Sequence, residues 1–446
     1  MDAVQKITPD SFLPELDEYS WDEINKHNNK EDCWIVIDQY VYDVSPWVKY
    51  HPGGNILTIL AGEDASAMYY SNHFIPDKKL LDRFLVGTVK NYQPMFKQYE
   101  DTFFRTLKQR VLYYFKNHSI DYRKTTKSYW QILFSALILF SCWCCMYFLP
   151  PWGLLAAIPM GLATSSLIGY FGHEQIHGNI FVRLSRKRGY WILNNILWGL
   201  FIPFMPEKYF QYEHIRHHNY PMHPDHDYDV YALKNFVRLS PKLKQQWHHN
   251  FQHIYAPLTY GAYIFLQLLG GYTTAFFDKR EILKDKGSLR DIIFSSLVAF
   301  SFHFILPAYL TSISWALLGA GLYFFSWQSA IYISSGLPHM TEVSKTDNKS
   351  NSWAFHVCDS TKNLKAGNAF YNWVTGGLNC HLNHHLLPSV PQEHLPGITS
   401  IVETTCREFA YPYYNYVSFK SYYSDHYSFL KTLGQYSNQR ENKTQA

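Results

Sequence analysis

The chain lacks the features that mark several common protein classes. Charged residues make up only 17% of its 446 residues. Lys and Arg total 40 against 36 Asp and Glu, a formal charge of +4 with no dominant basic block. A nucleic-acid surface needs clustered cations and is excluded. Cysteine is scarce, seven in all, and the closely spaced Cys142, Cys144 and Cys145 fall inside one apolar run. That pattern suits neither a disulfide framework nor a zinc ribbon and points to a reducing compartment. The first residues, MDAVQKITPDSF, contain no apolar segment, so no cleavable secretory signal is expected and the first folded region should stay cytosolic. What the chain has instead is aromatic residues, 18% of the total, and long uncharged stretches hidden under a mean hydropathy of -0.24. These predict a membrane protein with a polar appendage.

Residues 1 to about 92 are mixed and polar, with β-like runs at Cys33 to Val36 and Tyr40 to Val44, and read as a small soluble α+β domain. From 99 to 127, Arg105, Lys108, Arg110, Lys116, Arg123, Lys124 and Lys127 alternate with aromatics at helical spacing, which suits a membrane surface. Two uncharged runs follow, Tyr129 to Leu149 and Trp152 to Phe171, separated by Pro150 and Pro151. Each is about 30 Å long as a helix, one bilayer core. A second pair lies at Ile292 to Tyr309 and Ser314 to Ser335, with a turn around Ser312. The expected membrane part therefore has four transmembrane helices.

The N-terminal region holds His51 in an HPGG turn and His73 further on, and Gly53 and Gly54 allow a sharp turn beside a flat ligand. Asp32, Trp34, the VYDV run from Val41 to Val44, Trp47, HPGG, Ala61 with Gly62, Asp64 with Ala65, and His73 together resemble cytochrome b5. The resemblance implies haem b held by His51 and His73 as axial ligands, with Gly53 and Gly54 beside it. An iron with imidazole on both faces has no open position and passes electrons.

Three histidine clusters come next: His173 and His177 in HEQIH; His214, His217 and His218 in HIRHH; His381, His384 and His385 in HLNHH. Spacings of three and four residues put imidazoles on one helix face. Eight such histidines exceed the needs of one tetrahedral ion, so two metal ions close together are inferred. Ligand type alone does not choose the metal, but a redox-inert zinc has no use for an electron carrier in the same chain, and iron is the leading metal. His223, His226, His248, His249, His253 and His303 receive no ligand role. The apolar stretches Tyr190 to Pro206 and Ala256 to Phe277 approach spanning length. If either crossed alone, the clusters would lie on opposite faces, so both are assigned as interfacial or re-entrant. With four crossings the N-terminal domain, the loop from about 172 to 290 and the tail share one side. Arg183, Arg186, Lys187 and Arg188 make it cytoplasmic.

The three boxes, in this order and between these hairpins, resemble the membrane fatty-acyl desaturases over about 99 to 420. The fused haem domain makes the chain similar to front-end desaturases, which insert a double bond between an existing one and the carboxyl end. GGLN at Gly376 to Asn379, HHLLP at His384 to Pro388 and WHHNFQHIYAP at Trp247 to Pro257 also match. The resemblance adds His339, in SSGLPH, as a ninth metal ligand at the end of the fourth span. It departs in having His381 where front-end enzymes have Gln, and Glu174 where the first box has Asp. Asp225, Asp227 and Asp229 resemble the acidic segment after the second box, some of them expected to accept the remote N–H of ligand imidazoles.

The expected organisation is a cytochrome b5-like domain at 15–92, an amphipathic membrane-surface linker at 93–128, a desaturase membrane domain with a cytosolic helical cap at 129–420, and a polar tail at 421–446. The resemblance implies a di-iron, O2-dependent acyl desaturase of the endoplasmic reticulum membrane, reduced through its haem by an NADH-dependent cytochrome b5 reductase. Its lipid substrate should enter an apolar tunnel between the spans and the cap. An acyl hydroxylase, a desaturase of sphingoid bases or sterols, and a non-catalytic haem-binding carrier remain open at this stage.

Overall fold

Trp34–Ile37 and Tyr40–Asp43 are built of β-branched and aromatic residues around a two-residue turn, with Asp38 in the left-handed region at φ 56. A computed structural model pairs them antiparallel, Trp34 against Asp43 and Ile37 against Tyr40. It describes residues 16–435 apart from 54–55, 182–183, 185–186, 188, 206, 232–233, 263–285 and 342–351. Gly54, Arg183, Arg186, Arg188 and the latter part of Ala256 to Phe277 therefore lie outside the described residues. The two strands are β2 and β3 of a four-stranded sheet of order β1-β4-β3-β2, completed by β1 (Asp17–Tyr19) and β4 (Leu85–Val89). Helix α1 (Ser66–Asn72) ends at His73.

Helix α2 (Thr102–Asn117) starts on Asp101, whose carboxylate accepts the Phe104 N–H at 2.8 Å. The structure corrects the membrane-surface expectation for this segment. Phe103, Phe104, Leu107, Val111 and Phe115 are buried in a core shared with the haem domain and the cap. Lys108 pairs with Glu100, and its Nζ donates to the carbonyls of Tyr70 and His73 at 3.1 Å each. Arg110 pairs with Glu408 at 2.6 Å. The apolar stripe and two of its cations thus face protein, a choice that helical periodicity cannot distinguish from facing lipid.

Among the described residues, four helices are long and apolar enough to cross a membrane: α3 (Lys127–Phe148), α4 (Trp152–Ile176), then, after α5 (Tyr190–Phe201), α6 (Glu207–Asn219) and α7 (Gln252–Thr259), α8 (Leu289–Leu310) and α9 (Ile313–His339). Leu139, Met146, Met160, Ala163, Leu167, Tyr323 and Trp327 interlock at their centre. Gly161 lets α4 approach α9, since a Cβ there would stand 2.4 Å from Ser326 Oγ. Trp130, Leu133, Phe134, Leu137, Leu317 and Phe325 stay exposed, a lipid-facing belt that water would not tolerate. At 12 residues, α5 reaches only about 18 Å and cannot span. Helices α10 (Trp353–Ser360), α11 (His381–Leu386) and α12 (Leu395–Glu408) complete the cap.

The expected polar tail is corrected as well. Phe419–Gln435 forms helix α13, which packs on α7 and buries Tyr422, His426, Phe429, Leu430 and Leu433. Those positions repeat at three and four residues, so the stripe was present in the sequence under a polar average.

Candidate metal centre

Each cluster sits where a helix end delivers it. Helix α4 widens into a π-helical turn at Ile168–His173 before the short helical stretch Glu174–Ile176, a local distortion often found at functional sites. This presents His173 and His177. Helix α6 carries His214, His217 and His218, α11 carries His381, His384 and His385, and His339 closes α9.

The nine imidazoles sort into two groups. His173, His177, His214, His218 and His384 form one; His217, His339, His381 and His385 form the other. Within each, one nitrogen per residue lies within 4.8 Å of all the others. In the first, Nε2 of His214 is 3.0 Å from Nε2 of both His177 and His218, and Nε2 of His384 is 3.0 Å from that of His218. In the second, Nε2 of His339 is 3.1 Å from that of His217 and 3.0 Å from that of His381, and His381 is 3.2 Å from His385. An ion with metal–nitrogen bonds of about 2.1 Å at right angles separates neighbouring ligand nitrogens by about 3.0 Å, so both groups fit one ion each. The groups adjoin, with the His218 and His385 rings stacked at 4.1 Å. Among the described residues, the six histidines given no ligand role join neither group.

Burial, reinforced by neighbouring imidazoles, holds His177, His218, His384 and His385 well below the ordinary histidine value. Neutral imidazole is the form that binds metal. His217 differs: burial lowers it, but the adjacent Asp227 carboxylate lifts it to about 9. Asp227, fully buried, accepts from His217 Nδ1 at 2.9 Å, while Asp229 stands at 3.7 Å and Asp225 is exposed. Of the three acids, Asp227 therefore orients a cluster imidazole. His339 Nδ1 donates to the Ser360 carbonyl at 2.9 Å.

Sequence reasoning missed Gln392. Its side-chain amide, fully buried, lies 3.1 Å from His173 Nδ1, and its backbone N–H donates to Glu174 at 2.7 Å. An imidazole that gives Nε2 to a metal keeps its proton on Nδ1. The structure sets the amide Nε2 against Nδ1; turning the amide over by 180° brings Oε1, which has no other hydrogen-bond partner, into place to accept that proton. A lone Gln in a loop carries no periodic signal that could have found it.

A second site adjoins the first. His51 and His73 face each other with ring centres 6.2 Å apart, across a cavity of about 310 Å³ lined by Ile35, Ile37, Ile56, Leu57, Leu60 and Met68. Two imidazoles bound on opposite sides of one ion at about 2 Å have ring centres about 6 Å apart, so the pair fits a haem iron. His73 Nδ1 donates to the Tyr69 carbonyl at 2.8 Å, leaving Nε2 for a metal. Gly53 is needed because a Cβ there would meet the His51 ring at 2.9 Å. His177, Gly178 and Asn179 of the first-box segment border the same cavity.

The comparisons agree with this construction. Residues 150–417 match the fatty acid desaturase family and residues 20–90 the cytochrome b5-like heme/steroid binding domain. An acyl-lipid (8-3)-desaturase of Physcomitrium patens is 27% identical, covering 97% of this chain and 95% of the relative. Delta(5) fatty acid desaturase A of Dictyostelium discoideum is 28% identical, covering 94% of each. An sn-1 linoleoyl-lipid 6-desaturase of Synechocystis is 27% identical over 75% of this chain and 96% of its own. With two histidine groups spaced for a di-iron centre and a bis-histidine haem pocket beside them, the chain belongs to the fatty acid desaturase family and carries a fused cytochrome b5-like haem domain.

Proposed function

We propose that this desaturase places its new double bond between an existing one and the carboxyl end of an acyl chain carried on a lipid. What supports the lipid-bound substrate and that direction is the set of relatives, two of which are named for (8-3) and Delta(5) positions. The nine clustered histidines are assigned as ligands of two irons, and His51 and His73 as axial ligands of haem. The observation that carries this assignment is the separation of the nine into groups of five and four, each with ligand-like nitrogen spacing. When bound, the two irons supply the O2-dependent oxidation that removes hydrogen from an unactivated methylene.

The chain's own residues do the rest. Asp227 and Gln392 fix the tautomer and direction of His217 and His173, so that Nε2 is offered to metal. Burial of both groups excludes water, and no acid or base of matched pKa is required to break a C–H bond. An NADH-dependent reductase supplies electrons to the haem. The protein lies in the endoplasmic reticulum membrane with haem domain, clusters and both termini on the cytosolic side.

The test is expression in yeast fed a panel of unsaturated fatty acids, with double bonds located by mass spectrometry. A new double bond on the carboxyl side, absent in His217→Ala and in His73→Ala, is expected. A hydroxylated product, a modified sphingoid base or sterol, or full activity in His217→Ala would overturn the reading.

A further inference from the structure

The haem cavity is not closed by the haem domain alone. Its far wall comes from the linker and the membrane domain, through Arg123, His177, Asn179 and Ser389. Asn179 is already engaged, its Nδ2 donating to the Pro388 carbonyl at 3.1 Å. Two others present buried polar atoms without a hydrogen-bond partner: Nδ1 of His177, a residue only 4% exposed, and Oγ of Ser389. On the haem domain's side, the Tyr69 hydroxyl is a third. Buried donors of this kind are destabilising unless something meets them. Arg123, an exposed lining residue whose Nε donates to the Tyr122 hydroxyl at 3.3 Å, adds a guanidinium suited to a carboxylate. The haem-domain wall is mostly apolar apart from His51, Tyr69, Asn72 and His73, and the wall from the linker and the membrane domain adds the donors of Arg123, His177 and Ser389.

Haem has the matching polarity, an apolar macrocycle with two carboxylates on one edge. We propose that the haem is seated with its propionate edge toward the membrane domain, its carboxylates accepting hydrogen bonds from Ser389 Oγ–H and His177 Nδ1–H and an ion pair from Arg123. The domain interface is then part of the haem site, and full haem retention needs both domains. His177 gains a further role, because its Nε2 belongs to the five-histidine group while its Nδ1–H addresses the haem. A carboxylate on the remote N–H also makes an imidazole a stronger ligand. The proposal depends on the haem domain and not on which lipid is desaturated.

The experiment compares haem with its dimethyl ester, bound in turn to the full-length chain in detergent, and follows loss of each to an excess of apomyoglobin. The ester is expected to leave about tenfold faster than the free acid. Ser389→Ala and Arg123→Gln should accelerate loss of the acid several-fold and leave loss of the ester unchanged, since the ester makes neither contact. Equal rates for acid and ester in the unaltered chain would overturn the proposal. So would variants that speed both equally, which would mark Ser389 and Arg123 as merely structural. Desaturation is not read in this assay, so a failed activity reading would appear separately, as missing product from the unaltered chain.

Discussion

At the scale of single residues, the account rests on which nitrogen of each imidazole is free. Asp227 decides this for His217 and Gln392 for His173. Loss of such an outer partner typically costs 10–100-fold in metal affinity. Asp227→Asn and Gln392→Leu should each lower non-haem iron content by roughly that factor in affinity, measured by metal analysis across a chelator series, with the haem absorption spectrum unchanged. Gln392→Glu, which still accepts from Nδ1–H, should restore most of the loss. An unchanged iron content in both first variants would refute the positioning role. Eight of the clustered histidines were legible because their spacing repeats and resembles known boxes, and His339 only through the family resemblance. Gln392 was not, because it is a single polar residue whose partner, His173, lies in another element, and Ser389 and Arg123 were not, because only the fold brings them to the haem cavity.

At the scale of elements, the structure explains motifs that the sequence only displayed. In GGLN, Gly376 has φ +64 and touches Gly169 of the span that bears the first box; a Cβ on Gly169 would stand 2.5 Å from Gly376 Cα. Gly169→Ala should therefore force apart α4 and the loop before α11, destabilising the protein by about 1–3 kcal/mol. A fall in thermal midpoint in detergent checks this, and an unchanged midpoint would show that the contact is dispensable. The four spans and the β2–β3 hairpin were readable from run length and alternation. The three-residue β1 and the short β4 were not, since each exists by pairing with residues far away in sequence. The α13 stripe was overlooked because Lys, Ser and Asp between its apolar positions lower the average.

At the scale of the whole molecule, the haem domain is docked rather than tethered. Glu63 accepts from Tyr212 at 3.0 Å and pairs with Arg216 at 3.3 Å on the helix that carries the second box. A Cβ on Gly178, just after the first box, would stand 3.2 Å from the Gly53 carbonyl in the HPGG turn. The ion pair is partly exposed and worth at most about 1 kcal/mol by itself. Reversing its charge is more severe, because like charges face to face cost several kcal/mol. Glu63→Lys should thus undock the domain, with the bis-histidine absorption spectrum of bound haem kept but haem held less tightly, and haem oxidation on addition of acyl substrate should slow in stopped-flow absorbance. Unaltered oxidation kinetics would show that the docked arrangement is not the one that transfers electrons.

The central claim is that the groups of five and four histidines each hold one iron. Metal analysis of the purified full-length chain, with haem quantified in the same sample, tests it directly. The account predicts two irons per chain beyond the haem iron, with a marked loss in the His384→Ala/His217→Ala double variant while haem is kept. Zinc in their place, or no metal beyond the haem, would contradict it.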